Sequence, residues 1–290
     1  MPKATFDDIF VSTQWLSQRL DAPDLVIVDG SYYLSTMNRD AAGEYLAGHI
    51  PGAVRFDIDT IKDTSASLPH MMPEATVFAK AVGALGIGDG MTIIVYDGMG
   101  LFSAPRVRWM FKAFGAKNVM ILDGGLPKWQ SEGHPVRAGL EQPRRAASFT
   151  ARFDASAVAD LADVRAALTT GSTQVVDARP SNRFKGEAPE PRAGLSSGHM
   201  PGSRNLPFAD IINNGRMVGV DAIKAAFAQA GLDLSKPIIT SCGSGVSAAI
   251  LSTALELVGQ PAKSLYDASW AEWGGRDDCA VATGPAKPKP

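Results

Sequence analysis

Residues 242 to 247 read Cys-Gly-Ser-Gly-Val-Ser, and among them only the cysteine can act as a soft nucleophile. Glycines at alternate positions let the backbone curl, so that successive N–H groups turn toward one point. A helix that starts there adds the positive end of its dipole. Such a setting favours the thiolate, which is the nucleophilic form of a cysteine. A buried packing cysteine is the competing reading, but packing alone needs no curled glycine loop. The flanking elements fit the chemical reading. Pro237 to Ser241 form a short apolar and β-branched run entered by a proline, which predicts a buried strand. From Val246 onward the apolar positions Val246, Ile250, Leu257 and Val258, with Ala249, Ala254 and Leu255 between them, fall at helical spacing.

The composition narrows the classes. At 290 residues the chain has room for two domains of average size. Apolar residues make up 45% and charged residues 20%, and the net charge is −2 from 28 basic and 30 acidic residues. That balance gives no reason to expect a nucleic-acid or membrane partner. No apolar run approaches the roughly 18 residues of a membrane span, and the start, Met1-Pro-Lys-Ala-Thr-Phe-Asp-Asp, lacks the apolar core of a signal peptide. Cys242 and Cys279 make no disulfide framework, so a cytoplasmic location is expected. The four histidines and two cysteines show no metal-ligand spacing, and no cofactor is expected.

The catalytic loop belongs to a repeated unit. The strand Leu25 to Asp29 is answered by Gln174 to Asp177, and His49-Ile-Pro-Gly52 by His199-Met-Pro-Gly202. Ile93 to Asp97 is answered by Ile238 to Cys242, and Leu122 to Trp129 by Leu265 to Trp273. Landmarks in one order at a separation of about 144 to 150 residues indicate a tandem duplication. Strands alternate with helical patterns in each copy, which predicts an α/β fold: two domains, each a mainly parallel sheet covered by helices on both faces. The expected division is a non-catalytic domain over residues 1–140, a linker over 141–152, a catalytic domain over 153–283 and a flexible tail over 284–290. At the strand–turn–helix position one copy carries Asp97 and the other Cys242, so only the second copy is competent for thiol chemistry there.

With these features the sequence resembles the tandem rhodanese-domain sulfurtransferases, whose N-terminal rhodanese-like domain is inactive and whose C-terminal one is catalytic. The loop Cys242-Gly243-Ser244-Gly245-Val246-Ser247 is similar to that of the 3-mercaptopyruvate-specific members. The thiosulfate-specific members typically carry Arg and Lys where this chain has Gly243 and Ser244, and threonine is common where it has Ser247. The resemblance implies that the carboxylate of mercaptopyruvate is read by two arginines before the second His-x-Pro-Gly turn, here Arg183 and Arg192. A planar guanidinium suits that task because it can donate two parallel hydrogen bonds. Arg179, at the strand exit, is expected to be structural. The resemblance also implies a Ser–His–Asp relay, matched here to Ser244, His49 and Asp40. His49 has a second reading as a structural turn, since its motif recurs at His199.

The activity these readings imply is sulfur transfer from 3-mercaptopyruvate through a Cys242 persulfide, with pyruvate released. The loop N–H groups of Gly243, Ser244, Gly245, Val246 and Ser247 would face the terminal sulfur. The acceptor would be a small thiol or a thioredoxin-like protein, with cyanide serving in an assay. Thiosulfate sulfurtransferase activity and a non-catalytic sulfur carrier remain alternatives. A cysteine phosphatase is disfavoured, because that chemistry needs an arginine six residues after the cysteine and position 248 is alanine.

Overall fold

A computed structural model describes residues 5 to 286. The first half contains α1 (Phe6–Ile9), β1 (Phe10–Val11), α2 (Thr13–Ser17), β2 (Leu25–Asp29), α3 (Ala41–Ala47), β3 (Val54–Arg55), α4 (Ala75–Ala84), β4 (Thr92–Tyr96), α5 (Ala104–Ala113), β5 (Val119–Leu122) and α6 (Gly125–Ser131). Its strands form one sheet in the order β1-β5-β4-β2-β3, and every pairing is parallel.

The second half contains β6 (Val158–Ala159), α7 (Leu161–Thr170), β7 (Gln174–Asp177), α8 (Ser181–Phe184), β8 (Arg204–Asn205), β9 (Ile212–Asn213), β10 (Arg216–Met217), α9 (Val220–Gln229), β11 (Ile238–Ser241), α10 (Ala248–Leu257), β12 (Ser264–Tyr266) and α11 (Ser269–Trp273). Its parallel sheet, β6-β12-β11-β7-β8, repeats the order of the first. The antiparallel pair β9–β10 is an addition, and the first half has an irregular segment, residues 59–74, at the corresponding place.

Strands β2 and β11 are buried at every residue and β4 at all but its first, as expected of a parallel sheet covered on both faces. Helices α5 and α10 pack against each other across the domain boundary. A single apolar cluster includes Phe102, Val107 and Phe111 of the first half with Ala248, Ile250 and Leu251 of the second. The halves are therefore joined by core packing and not by a chain connection alone.

Residues 141–152 contain no helix or strand, yet they do not hang free. Ala147 N–H donates to Gly83 O at 3.0 Å, Asp89 N–H to Ser148 O at 2.9 Å and Arg152 N–H to Phe114 O at 2.9 Å. The Phe149 ring meets Phe78 and Phe111 edge-on. A Cβ at Gly83 would come within 2.6 Å of Ala147 O, so glycine is what lets this strap lie down. Of the expected tail, residues 287–290 lie outside the described residues, and Gly284 N–H donates to Lys185 O at 2.8 Å.

Each half lends an arm to the other. Leu68 and Met71, from the irregular first-half segment, pack on the second-half cluster around Tyr266 and Trp270, and Met72 N–H donates to Asp267 Oδ2 at 2.7 Å. In return the β9–β10 turn lays Gly215 against Gly100, where an added Cβ would be 2.7 Å from the Gly215 Cα. Arg216 Nε donates to Asp123 Oδ2 at 2.8 Å.

Candidate active site

Strand β11 delivers Cys242 to the point where the sheet ends, and the residue is buried. Its N–H donates to Ser269 Oγ at 3.0 Å, and its carbonyl accepts from Trp270 N–H at 3.0 Å. Ala271 N–H donates to Gly243 O at 2.9 Å, so the start of α11 clamps the loop from behind. Gly245 has φ +77°, and a Cβ there would approach Asp267 O to 2.7 Å, so no other residue fits. Gly243 matters for space: a Cβ would lie 3.1 Å from Arg183 Nη2. Among the described residues the N–H groups of 243 to 247 meet no acceptor, which leaves a row of donors between Cys242 and the first turn of α10.

The first half displays what such a loop binds. There the Asp97 carboxylate accepts from the backbone N–H groups of Met99 at 2.8 Å, Phe102 at 2.7 Å, Ser103 at 2.9 Å and Ala104 at 2.9 Å. A resident anion occupies the cradle at the start of α5. The same construction surrounds a cysteine at the start of α10.

The arginines divide by their partners. Arg179 is buried and consumed: it forks onto Asp177 Oδ2 at 2.9 and 2.6 Å, reaches Glu190 Oε1 at 2.7 Å and Gly198 O at 2.8 Å, and lies 4.2 Å above Trp270. Arg183, on α8, donates through Nε to Glu190 Oε1 at 3.2 Å and through Nη2 to Glu190 Oε2, while Nη1 keeps its donors for another acceptor. Arg192 donates from Nη2 to His70 Nε2 at 3.2 Å. Tyr32 meets the His70 ring edge-on at 4.8 Å. Burial raises the Tyr32 phenol above its usual range; Arg192 opposes this, and Asp59 adds to it. Tyr32, His70 and Arg192 thus belong to one neighbourhood, tied to the cysteine loop by Arg106, which reaches both His70 O and Gly245 O.

The histidine and acid expected of a relay are not brought to this neighbourhood. His49 is fully buried, its Nδ1 donating to Tyr45 O at 2.7 Å and its Nε2 facing Glu141 Oε1 at 3.2 Å, with the ring stacked on Tyr45 at 4.1 Å. Asp40 caps α3 by accepting from Ala42 N–H at 3.0 Å. Both are committed to local structure, so a Ser244–His49–Asp40 relay does not form. The geometry offers His70 and Asp59 in their place. His70 Nδ1 lies 2.8 Å from Asp59 Oδ1, its N–H turned somewhat off the ideal hydrogen-bond line. With Nδ1 protonated, the Nε2 lone pair is free to accept from Arg192. Burial lowers the His70 pKa; Asp59 pulls it back up, and Arg106 and Arg192 add to the lowering, so the ring is neutral near pH 7. Ser244 stands in the loop, nearly buried. The one sequence signal for His70 was its place in Pro69-His-Met-Met-Pro73, a stretch without counterpart in the second half.

A rhodanese-like domain model matches residues 12–132 and again 160–276. The 3-mercaptopyruvate sulfurtransferase of Escherichia coli K12 is 42% identical over 274 residues, which covers 94% of this chain and 97% of that protein. The human 3-mercaptopyruvate sulfurtransferase is 42% identical and covers 91% of each chain. A thiosulfate sulfurtransferase from Cricetulus griseus is 40% identical with the same coverage. Among solved structures, SseA from Escherichia coli, described with the rhodanese fold of 3-mercaptopyruvate sulfotransferases, superposes with a TM-score of 0.83 at 40% identity, over 93% of this chain and all of that one.

Proposed function

Because the chain belongs to the tandem rhodanese-domain sulfurtransferases, we propose that it moves sulfur from 3-mercaptopyruvate to a thiophilic acceptor through a persulfide on Cys242. The observation that carries this is a cysteine loop with no charged side chain of its own, with the Arg183 guanidinium against Gly243 and the Arg192 guanidinium held by His70, whose carbonyl shares Arg106 with the loop.

The Cys242 thiolate attacks the donor sulfur, and a sulfur–sulfur bond forms. The carbon–sulfur bond breaks, its electron pair passing to carbon as the enolate of pyruvate. Arg183 and Arg192 hold the donor carboxylate, and the loop N–H groups of residues 243 to 247 stabilise the negative charge on sulfur. The enolate takes a proton from Ser244 and water returns one to the serine, with neutral His70, its ring held by Asp59, ordering that exchange. The acceptor, a small thiol or thioredoxin-like protein in the cell and cyanide in an assay, then removes the terminal sulfur and restores the thiolate. A reducing cytoplasm suits a free thiol at this centre. No helix among the described residues is long and apolar enough to cross a membrane.

Thiosulfate is the second donor to consider, given the 40% identical thiosulfate sulfurtransferase. A doubly charged donor would gain from cationic side chains in the loop, where this chain has Gly243 and Ser244. One comparison tests both readings: pyruvate release from mercaptopyruvate against thiocyanate formation from thiosulfate and cyanide. The mass of the donor-treated protein is read alongside. Wild type and Cys279→Ser should gain one sulfur, and Cys242→Ser none. Arg183→Ala or Arg192→Ala should cost about one to two decades in kcat/KM for mercaptopyruvate, the worth of a hydrogen bond to a charged group, and should change the ratio between the donors. An unchanged ratio in both variants would remove the carboxylate role.

A further inference from the structure

Among the described residues Arg106 is a fully buried arginine that reaches from the first half into the second, and its polar contacts converge on the His70 segment and the cysteine loop. It stands in the first turn of α5. Its Nη1 lies 2.6 Å from Asp267 Oδ1 and 3.5 Å from Gly245 O, and its Nη2 donates to His70 O at 2.6 Å. The second oxygen of Asp267 accepts from Met72 N–H. One guanidinium–carboxylate pair therefore grips the His70 segment at the histidine's own carbonyl and at Met72 N–H, and the cysteine loop at Gly245.

Two further observations make this more than a buried ion pair. His70 has φ +58°, a left-handed conformation that a non-glycine residue keeps only when its surroundings hold it. Gly245, at φ +77°, would place a Cβ 2.8 Å from Arg106 Nη1, so the loop closes directly onto the guanidinium. The other cross-domain Arg–Asp pair is different. Arg216 reaches Asp123 from the other half at 2.7 Å, but its side chain is 51% exposed and it donates to no loop carbonyl. Asp123 and Asp267 hold matching places in the two copies, but Arg216 comes from the added β9–β10 pair and Arg106 from α5. Only the pair on the Cys242 side is dry and joined to two loops.

We propose that Arg106 is a positioning residue for sulfur transfer, fixing the His70 segment of the first domain in register with the cysteine loop of the second. The inference rests on the sulfurtransferase reading, and it adds that the non-catalytic half is needed for the geometry of the proton donor. Arg106 itself touches no substrate, since all of its contacts are to the protein. The planar fork is essential: a lysine is a point charge on a flexible stem, able to satisfy Asp267 or the His70 carbonyl but not to hold both in one plane.

The test uses full-length Arg106→Lys and Arg106→Met, with Arg216→Lys as the control on the opposite clamp and near-UV circular dichroism to confirm folding. Arg106→Lys should lower kcat for mercaptopyruvate roughly ten- to a hundredfold while KM stays within about threefold, the signature of lost alignment without lost substrate binding. Arg216→Lys should stay within about twofold. A second readout needs no turnover: the ring titration of His70 by NMR. The charged and titratable groups facing that ring are Asp59, Tyr32, Arg106 and Arg192. In Arg106→Met, release of the ring from burial and loss of one cation should both move its midpoint up, toward an ordinary histidine. A folded Arg106→Met with an unmoved titration and unchanged kcat overturns the proposal, as does a kcat loss no greater than that of Arg216→Lys. If wild type turned over neither donor, the functional reading would fail, yet the titration would still decide whether Arg106 positions His70.

Discussion

Exchanging His70 and His49 for asparagine, one at a time, separates chemistry from scaffold. Asparagine is chosen because it tolerates the left-handed backbone at position 70. In His70→Asn proton delivery to the enolate loses its assisting group, and a positioned proton-transfer group contributes on the order of a hundredfold or more. The stability cost should be small, about 1 kcal/mol, because Asp59 is 50% exposed and can be rehydrated. His49→Asn should do the reverse. It removes the bond from a fully buried ring to Tyr45 O and the contact with Glu141, whose remaining partners are Gly52 N–H and Arg137. One neutral bond is worth about 1 kcal/mol and one to a charged group about 1.5–3, so a loss on the order of 3 kcal/mol is expected. At roughly 2–4 °C per kcal/mol, that lowers the melting temperature by about 6–12 °C. The assay is stopped-flow pyruvate release per folded molecule beside a thermal melt. Equal slowing by both variants, or a wild-type rate in His70→Asn, would refute the assignment. The pH profile adds a sign. With its folded pKa below the ordinary value, His70 stays neutral through pH 6.5 and below, so the acid limb of kcat should lie under about 6.5. The unfolded chain binds that proton first, so stability from this group is present above about pH 6.5 and falls as the pH drops below it.

Asp97→Ala should strip one acceptor from four backbone donors in a buried turn, at a cost on the order of 3–5 kcal/mol in urea unfolding, while Cys242 still takes up one sulfur per folded molecule. A midpoint shift worth under about 1 kcal/mol would mean that water replaces the carboxylate easily. Glu256, from α10, tests the domain contact: burial would raise its pKa, but the Arg108 fork and Lys112 of α5 outweigh burial and bring it down to about 2. Its contribution is full above about pH 4.5, on the order of 3 kcal/mol, and is lost as the pH falls toward 2. Glu256→Gln should therefore unfold earlier than wild type at pH 7 but match it near pH 2, and a difference that persists at pH 2 would show that packing, not charge, is at stake.

The strands, the cysteine loop and the duplication were legible because each is a local property. A curled turn needs its glycines in sequence, a buried parallel strand is apolar throughout, and a repeat preserves spacing. Helix α5 starts at Ala104 with Pro105 in its first turn, a boundary that local pattern does not fix. The repeat even carried the answer for His49. His199 does the same work in the second half, donating to Phe184 O at 2.9 Å and stacking on Phe184 at 3.9 Å, so a motif present twice served the fold and not the reaction. The partners of His70 could not be read this way. Arg192 lies 122 residues from it, and Gly245 lies 139 residues from Arg106. No periodicity links such positions, because the contact exists only once two separately folded sheets dock and an aperiodic segment crosses between them. Local sequence marks the cysteine loop, and domain packing brings the His70 segment to it through Arg106.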